Sequence, residues 1–319
     1  MTILTTINAT VTDPSRRHEF VLLFDIIDGN PNGDPDAGNL PRVDPETMQG
    51  LVTDVAVKRK VRDYVFQAKS ASAGPEPGYD IYVKHRGILA REQERAYTAL
   101  GAGPSLRTND QARKWMCKAF YDIRMFGAVM TTGDSGQKDG RRTLQWNCGQ
   151  VRGPVQLKFA RSKDPITPLD IAITRVALTN PGDVERFQDT GDDQEEAISG
   201  QMGRKAIVCY ALYEVHGFFT PKFATDTGVT ADDMALLWQA LYDMWDNDHS
   251  SARQEMSCRG LYVFSHESNL GNAPAHTLFE RIVVEKKASV EAPRKFADYA
   301  VTVSGANLPA GVTLTRLVG

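Results

Sequence analysis

The sequence contains four cysteines among 319 residues, Cys117, Cys148, Cys209 and Cys258, and no two form a CxxC pair. This spacing excludes a zinc ribbon and a thioredoxin-like redox site, and so few scattered cysteines fit reduced thiols in a cytoplasm. No apolar run approaches the roughly eighteen residues of a membrane span, and the N-terminal stretch lacks the apolar core of a signal peptide. An HxxxH pair, an HD pair and a phosphate-binding P-loop are missing as well. The formal net charge is only −3, which excludes a protein coated in positive charge but allows a basic groove on an acidic body. The remaining composition, 41% hydrophobic and 24% charged, is that of an ordinary globular protein long enough for one to three domains. The expectation is a soluble, cytoplasmic chain with no membrane segment, no metal and no cofactor.

The chain is organised around Glu19–Gln67. Phe20–Ile27 is apolar except for Asp25 and closes on Asp28-Gly29, which predicts a buried strand. A loop dense in Asn, Gly, Pro and Asp follows, from Asp28 to Pro45, where turn-forming residues set the backbone. A helix comes next, with Val57, Val61 and Tyr64 on a packing face. Lys58 and Arg62 share a different line, with Arg59 beside it and Lys60 in the same turn. A strand, a polar loop and a helix with a basic line could grip a polyanion.

Residues 1–17 read as a loosely held lead-in, and Lys69–Gly78 as a linker. Tyr79–Gly87 is expected to form a short strand and 88–106 a helix. Asn109 or Asp110 would cap the next helix, whose Trp115, Ala119, Phe120, Ile123 and Phe126 recur at helical spacing. Lys138–Lys163 carries Lys138, Arg141, Arg142, Arg152, Lys158, Arg161 and Lys163 against Asp139 alone. Within it Val155, Leu157 and Phe159 alternate as a strand with one wet face. Gly149-Gln150-Val151-Arg152-Gly153 places an amide and a guanidinium between small residues, where a backbone can approach a ligand closely and Gln150 and Arg152 can donate to phosphate or ribose. A plain turn with solvated charges explains that segment about as well.

Ile171, Ile173, Val176 and Leu178 alternate as a strand before an acidic stretch that ends at Gly200-Gln201-Met202-Gly203-Arg204-Lys205. A disordered acidic loop would have the same composition. Ala206–Phe219 is apolar on both faces, as in a central strand, and His216 within it reads as a packed histidine. Thr230, Asp232 and Asp233 begin a helix through Trp245 that packs with Met234, Leu237, Trp238, Leu241 and Trp245. Gly260–His266 and Arg281–Glu285 read as strands, and Tyr299–Val303 with Val312–Val318 as a hairpin.

Asn30-Pro31-Asn32-Gly33-Asp34-Pro35, Pro41-Arg42-Val43-Asp44-Pro45, Gly50-Leu51-Val52-Thr53-Asp54 and Lys58-Arg59-Lys60-Val61-Arg62, in that order, resemble the backbone subunit of type I CRISPR interference complexes, best in the type I-C (Dvulg) branch. Asp122-Ile123-Arg124-Met125-Phe126-Gly127 extends the likeness. The resemblance implies an α+β fold with a ferredoxin-like, RRM-like antiparallel sheet (the palm) as a single unit over 1–319. A helical insertion (the fingers) would cover about 69–137 and a β-hairpin thumb about 164–205. It also implies a non-catalytic protein that polymerises along a CRISPR guide RNA and presents it to target DNA. Its partners would be other copies of itself, the large subunit and the repeat-end-binding subunit. Lys58, Arg59, Lys60, Arg152, Arg204 and Lys205 would then neutralise phosphates, while Asn30, Asn32, Arg42 and Gln150 hold phosphate or ribose. In that family an apolar thumb side chain wedges between nucleotides, and Met202 is the candidate.

Two other readings stay open: a guide-processing endoribonuclease using His85 or His18 as acid or base, and a structural or regulatory oligomer whose basic helix meets protein. Asp28–Asp34 imitates the start of a calcium EF-hand loop, but Asn39 stands where a bidentate carboxylate is required. Gly133-Asp134-Ser135-Gly136 resembles a serine-protease nucleophile segment without the rest of a triad. Asp246-Asn247-Asp248-His249 reads as a solvated helix end rather than a metal site.

Overall fold

The computed structural model describes residues 6–72, 74–103, 108–131, 137–138, 141–142, 146–174 and 202–319. The first long strand, β1 (His18–Gly29), is followed by β2 (Gln49–Val52) and α1 (Asp54–Ala68). An excursion follows with α2 (Leu89–Ala99), α3 (Asn109–Ala119), α4 (Tyr121–Phe126) and the ribbon β3 (Gly127–Met130) and β4 (Gly149–Arg152). The chain re-enters the sheet through β5 (Val155–Leu157), β6 (Ala160–Pro165) and β7 (Leu169–Thr174), then β8 (Met202–Phe219). After α5 (Pro221–Thr227) and α6 (Ala231–Asp243) come β9 (Glu255–His266), α7 (Ala275–Phe279), β10 (Ile282–Lys286), β11 (Tyr299–Val303) and β12 (Val312–Val318). The eight-stranded sheet has the order β12-β9-β1-β8-β6-β2, with β5 and β7 also laid along β8. Every pairing within it is antiparallel.

Strand β1 sits between β8 and β9, with Phe20 opposite Gly217 and Val263. Its alternation sends Phe20, Leu22, Phe24 and Ile26 into one core with Val57, Val61 and Tyr64 of α1 and Leu237, Trp238 and Leu241 of α6. Trp238 meets Phe20 edge-on at 5.1 Å, and Trp245 stacks on Phe24 at 4.4 Å. Each such buried aromatic is worth on the order of 2 kcal/mol or more. Val21 and Leu23 face the other way, into a second core with Tyr210, Leu212, Phe264, Ile282 and Tyr299. A sheet covered on both faces has no need of a polar alternation, which is why β1 and β8 read as continuous apolar runs. A third cluster, with Tyr82, Tyr97, Met116, Phe120 and Met130, belongs to the excursion alone.

Four expectations are corrected. The lead-in is pinned rather than loose: Val11 is fully buried and its carbonyl accepts the Trp238 indole N–H at 2.9 Å. Tyr79–Gly87 is no strand; it makes a single bridge at Asp80 with Phe120, and its amides at Tyr82 and Val83 donate to the Asp122 carboxylate. The last two strands exist but are not a hairpin, because β11 pairs with β10 and β12 with β9. Phe159 falls between β5 and β6 and is 53% exposed, so the alternation breaks there. Thr230 and Asp233 form the reciprocal cap of α6. No helix among the described residues is long and apolar enough to cross a membrane.

Several charged and titratable groups in the interior are paired. Asp25 accepts from Tyr210 Oη at 3.0 Å and Arg259 Nε at 2.8 Å, and burial nevertheless raises its carboxyl above the usual range. His266 Nδ1 accepts the Asn272 N–H at 2.7 Å, so Nε2 carries the proton and donates to Glu19. His18 lies between the Asp13 carbonyl and the Ser265 hydroxyl, and burial pushes it down to about 4. Unfolded, the same imidazole takes its proton near pH 6.5. Its contribution to stability is therefore full above that pH and falls as pH drops towards 4, by at most about 3 kcal/mol. In urea titrations at stepped pH, His18→Gln should flatten this part of the profile; an unchanged profile would show that His18 does not drive it.

Candidate nucleic-acid interface

The polar loop between β1 and α1 is braced by its own side chains. Asn30 is buried, with its Nδ2 donating to the Asn39 carbonyl at 2.8 Å and its backbone N–H to that of Ala252 at 2.6 Å. Asn32 Oδ1 accepts the Thr53 N–H at 2.9 Å, and Thr53 Oγ1 caps α1 by accepting the Ala56 N–H. Arg42 meets Asp34 at 3.3 Å, and its backbone bonds Asn32 and Leu51. The turn at Asp44 is fastened by Arg161 at 2.7 Å, a contact that holds the Asp44 carboxyl below its ordinary range. Asn30, Asn32 and Arg42 are thus brought together at the N-terminal end of α1, with Asn30 interior and Arg42 partly open.

The basic line on α1 is largely neutralised. Lys58 is held by Asp54 at 2.8 Å and Arg62 by Asp122 at 2.8 Å, both riding over the Phe126 ring. Lys60 lies inside the protein, 4% exposed, in an ion pair with Asp248 and near the Trp245 ring. Burial lowers its ammonium despite that partner. Arg59 remains, 62% exposed and only 3.4 Å from Asp63. Sequence alone could not show this, since Asp122 and Asp248 stand far from the helix along the chain.

The ribbon is tied to α4, whose Phe126 lies under Lys58 and Arg62. Gly127, immediately after Phe126, faces Arg152 in the β3–β4 register. A side chain on Gly153 would lie 2.2 Å from the Phe126 carbonyl carbon, and Gly127 has φ +78. Two glycines let the ribbon lie backbone to backbone against the end of α4. Gln150 and Arg152, two residues apart on β4, are both exposed, and the Arg152 guanidinium lies 4.9 Å over Phe223 of α5. On the hairpin of β7 and β8, Arg204 is 78% exposed beside Asp170 at 3.1 Å, and Lys205 is half-buried opposite Ile171. The Met202 side chain and residues 175–201 lie outside the described residues. Two cations of the basic segment Lys138–Lys163 that the sequence gives no individual role are engaged here: Arg161, which fastens the loop, and Lys163, held by Glu214 at 3.0 Å. The lopsided charge of their segment was the available signal. Among the described residues, no group of three or more His, Cys, Asp or Glu is placed to hold a metal.

Fold and site thus describe an α+β protein built on an antiparallel sheet, with a braced polar loop and an exposed amide–guanidinium ribbon beside it. A family model described as CRISPR-associated protein Cas7 matches residues 16–304, and the chain belongs to that family. It is 25% identical over 239 residues to a CRISPR-associated protein Cas7 of Haloferax volcanii, covering 70% of this chain and 64% of that relative, just under two thirds of its length. It is also similar to a chain of a solved structure described as a CRISPR RNA-guided surveillance complex, pre-nicking, with a TM-score of 0.47, 12% identity and 78% of each chain covered. A second, described as a CRISPR RNA-guided surveillance complex, gives a TM-score of 0.40 and 13% identity over 78% of this chain and 68% of that one.

The ion-pair geometry separates two neighbouring cations. Lys60→Ala should lower stability by about 2 kcal/mol, because among the described residues Asp248 then keeps only Arg253 in a partly buried site. Arg59→Ala should change it by no more than about 0.5 kcal/mol. Urea unfolding of both variants checks this, and equal losses would contradict the placement of Lys60.

Proposed function

We propose that this chain is a non-catalytic backbone subunit of a CRISPR interference complex, of the type I-C (Dvulg) branch. The observation that carries the reading is the family match over residues 16–304; the four ordered motifs between Asn30 and Arg62 support the branch. The chain would bind guide RNA through its sugar–phosphate backbone, polymerise along it and present the bases to target DNA. Its further partners would be the large subunit and the repeat-end-binding subunit.

In this reading the sheet segments β1, β5–β6, β8 and β9, with α1 and α6 packed on one face, are a ferredoxin-like, RRM-like palm. Their order across the sheet, β9-β1-β8-β6, and their antiparallel pairing support it. The excursion with its own core, about 69–137, would be the fingers, and the β7–β8 hairpin, about 164–205, the thumb carrying Met202. Asn32, Arg42, Lys58, Arg59, Gln150, Arg152, Arg204 and Lys205 form the RNA-facing set, with Asn30 holding the loop. Lys60, named on sequence grounds, is left out because its ammonium is interior and paired. Amides and guanidiniums that meet phosphate and ribose carry no base preference, which a carrier of variable guides requires.

Each phosphate contact on a single strand contributes a slope of about −0.7 to log K against log[salt]. Nucleic-acid-free protein, titrated with labelled single-stranded RNAs of unrelated sequence, should bind them with similar affinity and a steep salt slope. Arg152→Ala should flatten that slope by about 0.7. Binding that is salt-independent, or confined to one sequence, would overturn the assignment.

A further inference from the structure

On the side of the sheet away from α1 and α6, a cavity of ≈ 780 Å³ opens between β8, the segment leading into β6, and the α7–β10 edge. Its volume falls in the range of small-molecule sites, about 300–1,000 Å³. Its floor comes from alternate residues of β8, Glu214, His216 and Phe218. The His216 imidazole lies flat on Phe279 of α7, with centroids 4.0 Å apart and planes 15° apart, and Phe218 meets the same ring edge-on at 5.5 Å.

Charge is distributed unevenly around this aromatic group. Glu214 is satisfied at both oxygens, by His216 Nε2 at 2.8 Å and Lys163 Nζ at 3.0 Å. Burial alone would raise its carboxyl, but these two partners outweigh it and hold it below the ordinary range. Lys158, exposed at the mouth, has no carboxylate partner among the described residues. The α7–β10 side contributes the exposed carboxylates of Glu280 and Glu285, also without ion pairs among the described residues. A lipid or a purely apolar peptide would leave all three charges unanswered. A nucleotide answers them: its phosphate suits Lys158, its base can stack against the aromatic group, and its ring and exocyclic N–H groups can donate to a carboxylate.

We propose that this cleft is a second ligand site that takes one nucleotide, base and phosphate together. It is distinct from the loop and ribbon described above and does not rest on the reading given to them. The nucleotide can be free or an unpaired residue of a strand; the chemistry is the same.

The test uses the full chain freed of nucleic acid by high salt and nuclease, titrated calorimetrically with each of AMP, GMP, CMP and UMP, and with inorganic phosphate. At least one nucleotide should bind about tenfold or more tighter than phosphate, the difference that base stacking supplies. Lys158→Glu, a change at an exposed position, should weaken that binding by about tenfold or more. Phe279→Leu should reduce the advantage of nucleotide over phosphate. Displacement of the bound nucleotide by a uridine hexamer would assign the site to a strand, and failure to displace it to a free nucleotide. Binding no tighter than phosphate, or binding unaffected by Lys158→Glu, would overturn the proposal. Loss through Arg152→Ala alone would also overturn it, by placing the ligand on the ribbon.

Discussion

Strand β1 is bonded to a neighbour along both edges and buried on both faces, and the other layers are placed by it. The β8 and β9 ladders fix its register. Its even-numbered side chains seat α1 and α6, and its odd-numbered ones seat the β10–β11 layer. A slip of one residue would exchange the two sets and empty both cores. The same constraint positions the loop that follows: β1 delivers Asn30 at a fixed point beside Ala252, and Thr53 starts α1 where Asn32 can reach it.

A helix rich in lysine and arginine is not thereby a basic surface. Acidic residues distant along the chain, Asp122 and Asp248, take up Arg62 and Lys60, and Asp54 takes up Lys58. Of the cations named for the interface, the exposed ones are instead Arg59 on that helix, Arg152 on the ribbon and Arg204 on the hairpin. This distribution reconciles a net charge of −3 with the polyanion-binding role proposed above.

The sequence was most legible where a single element carries a complete pattern. β1, the packing faces of α1 and α6 and the Thr230 cap were readable because periodicity and caps are local. Strand pairing was not, so β11 and β12 were given to each other although their partners are β10 and β9. Tyr79–Gly87 looked extended by composition, but its amides are satisfied by the Asp122 side chain rather than by a ladder. The loop motif was read from its residue order, yet Asn30's interior position depends on Asn39 and Ala252 closing over it. The cleft over His216 could not be seen at all, because it needs α7, β10 and β8 brought together from separate parts of the chain.

The claim that this chain is a repeating carrier of RNA is tested most directly by stoichiometry. Nucleic-acid-free protein would be mixed with single-stranded RNAs of increasing length, and the mass of each complex measured by light scattering or native mass spectrometry. The account predicts that bound copies rise in even steps with RNA length, as an open head-to-tail array requires. One copy on every RNA, whatever its length, would contradict it.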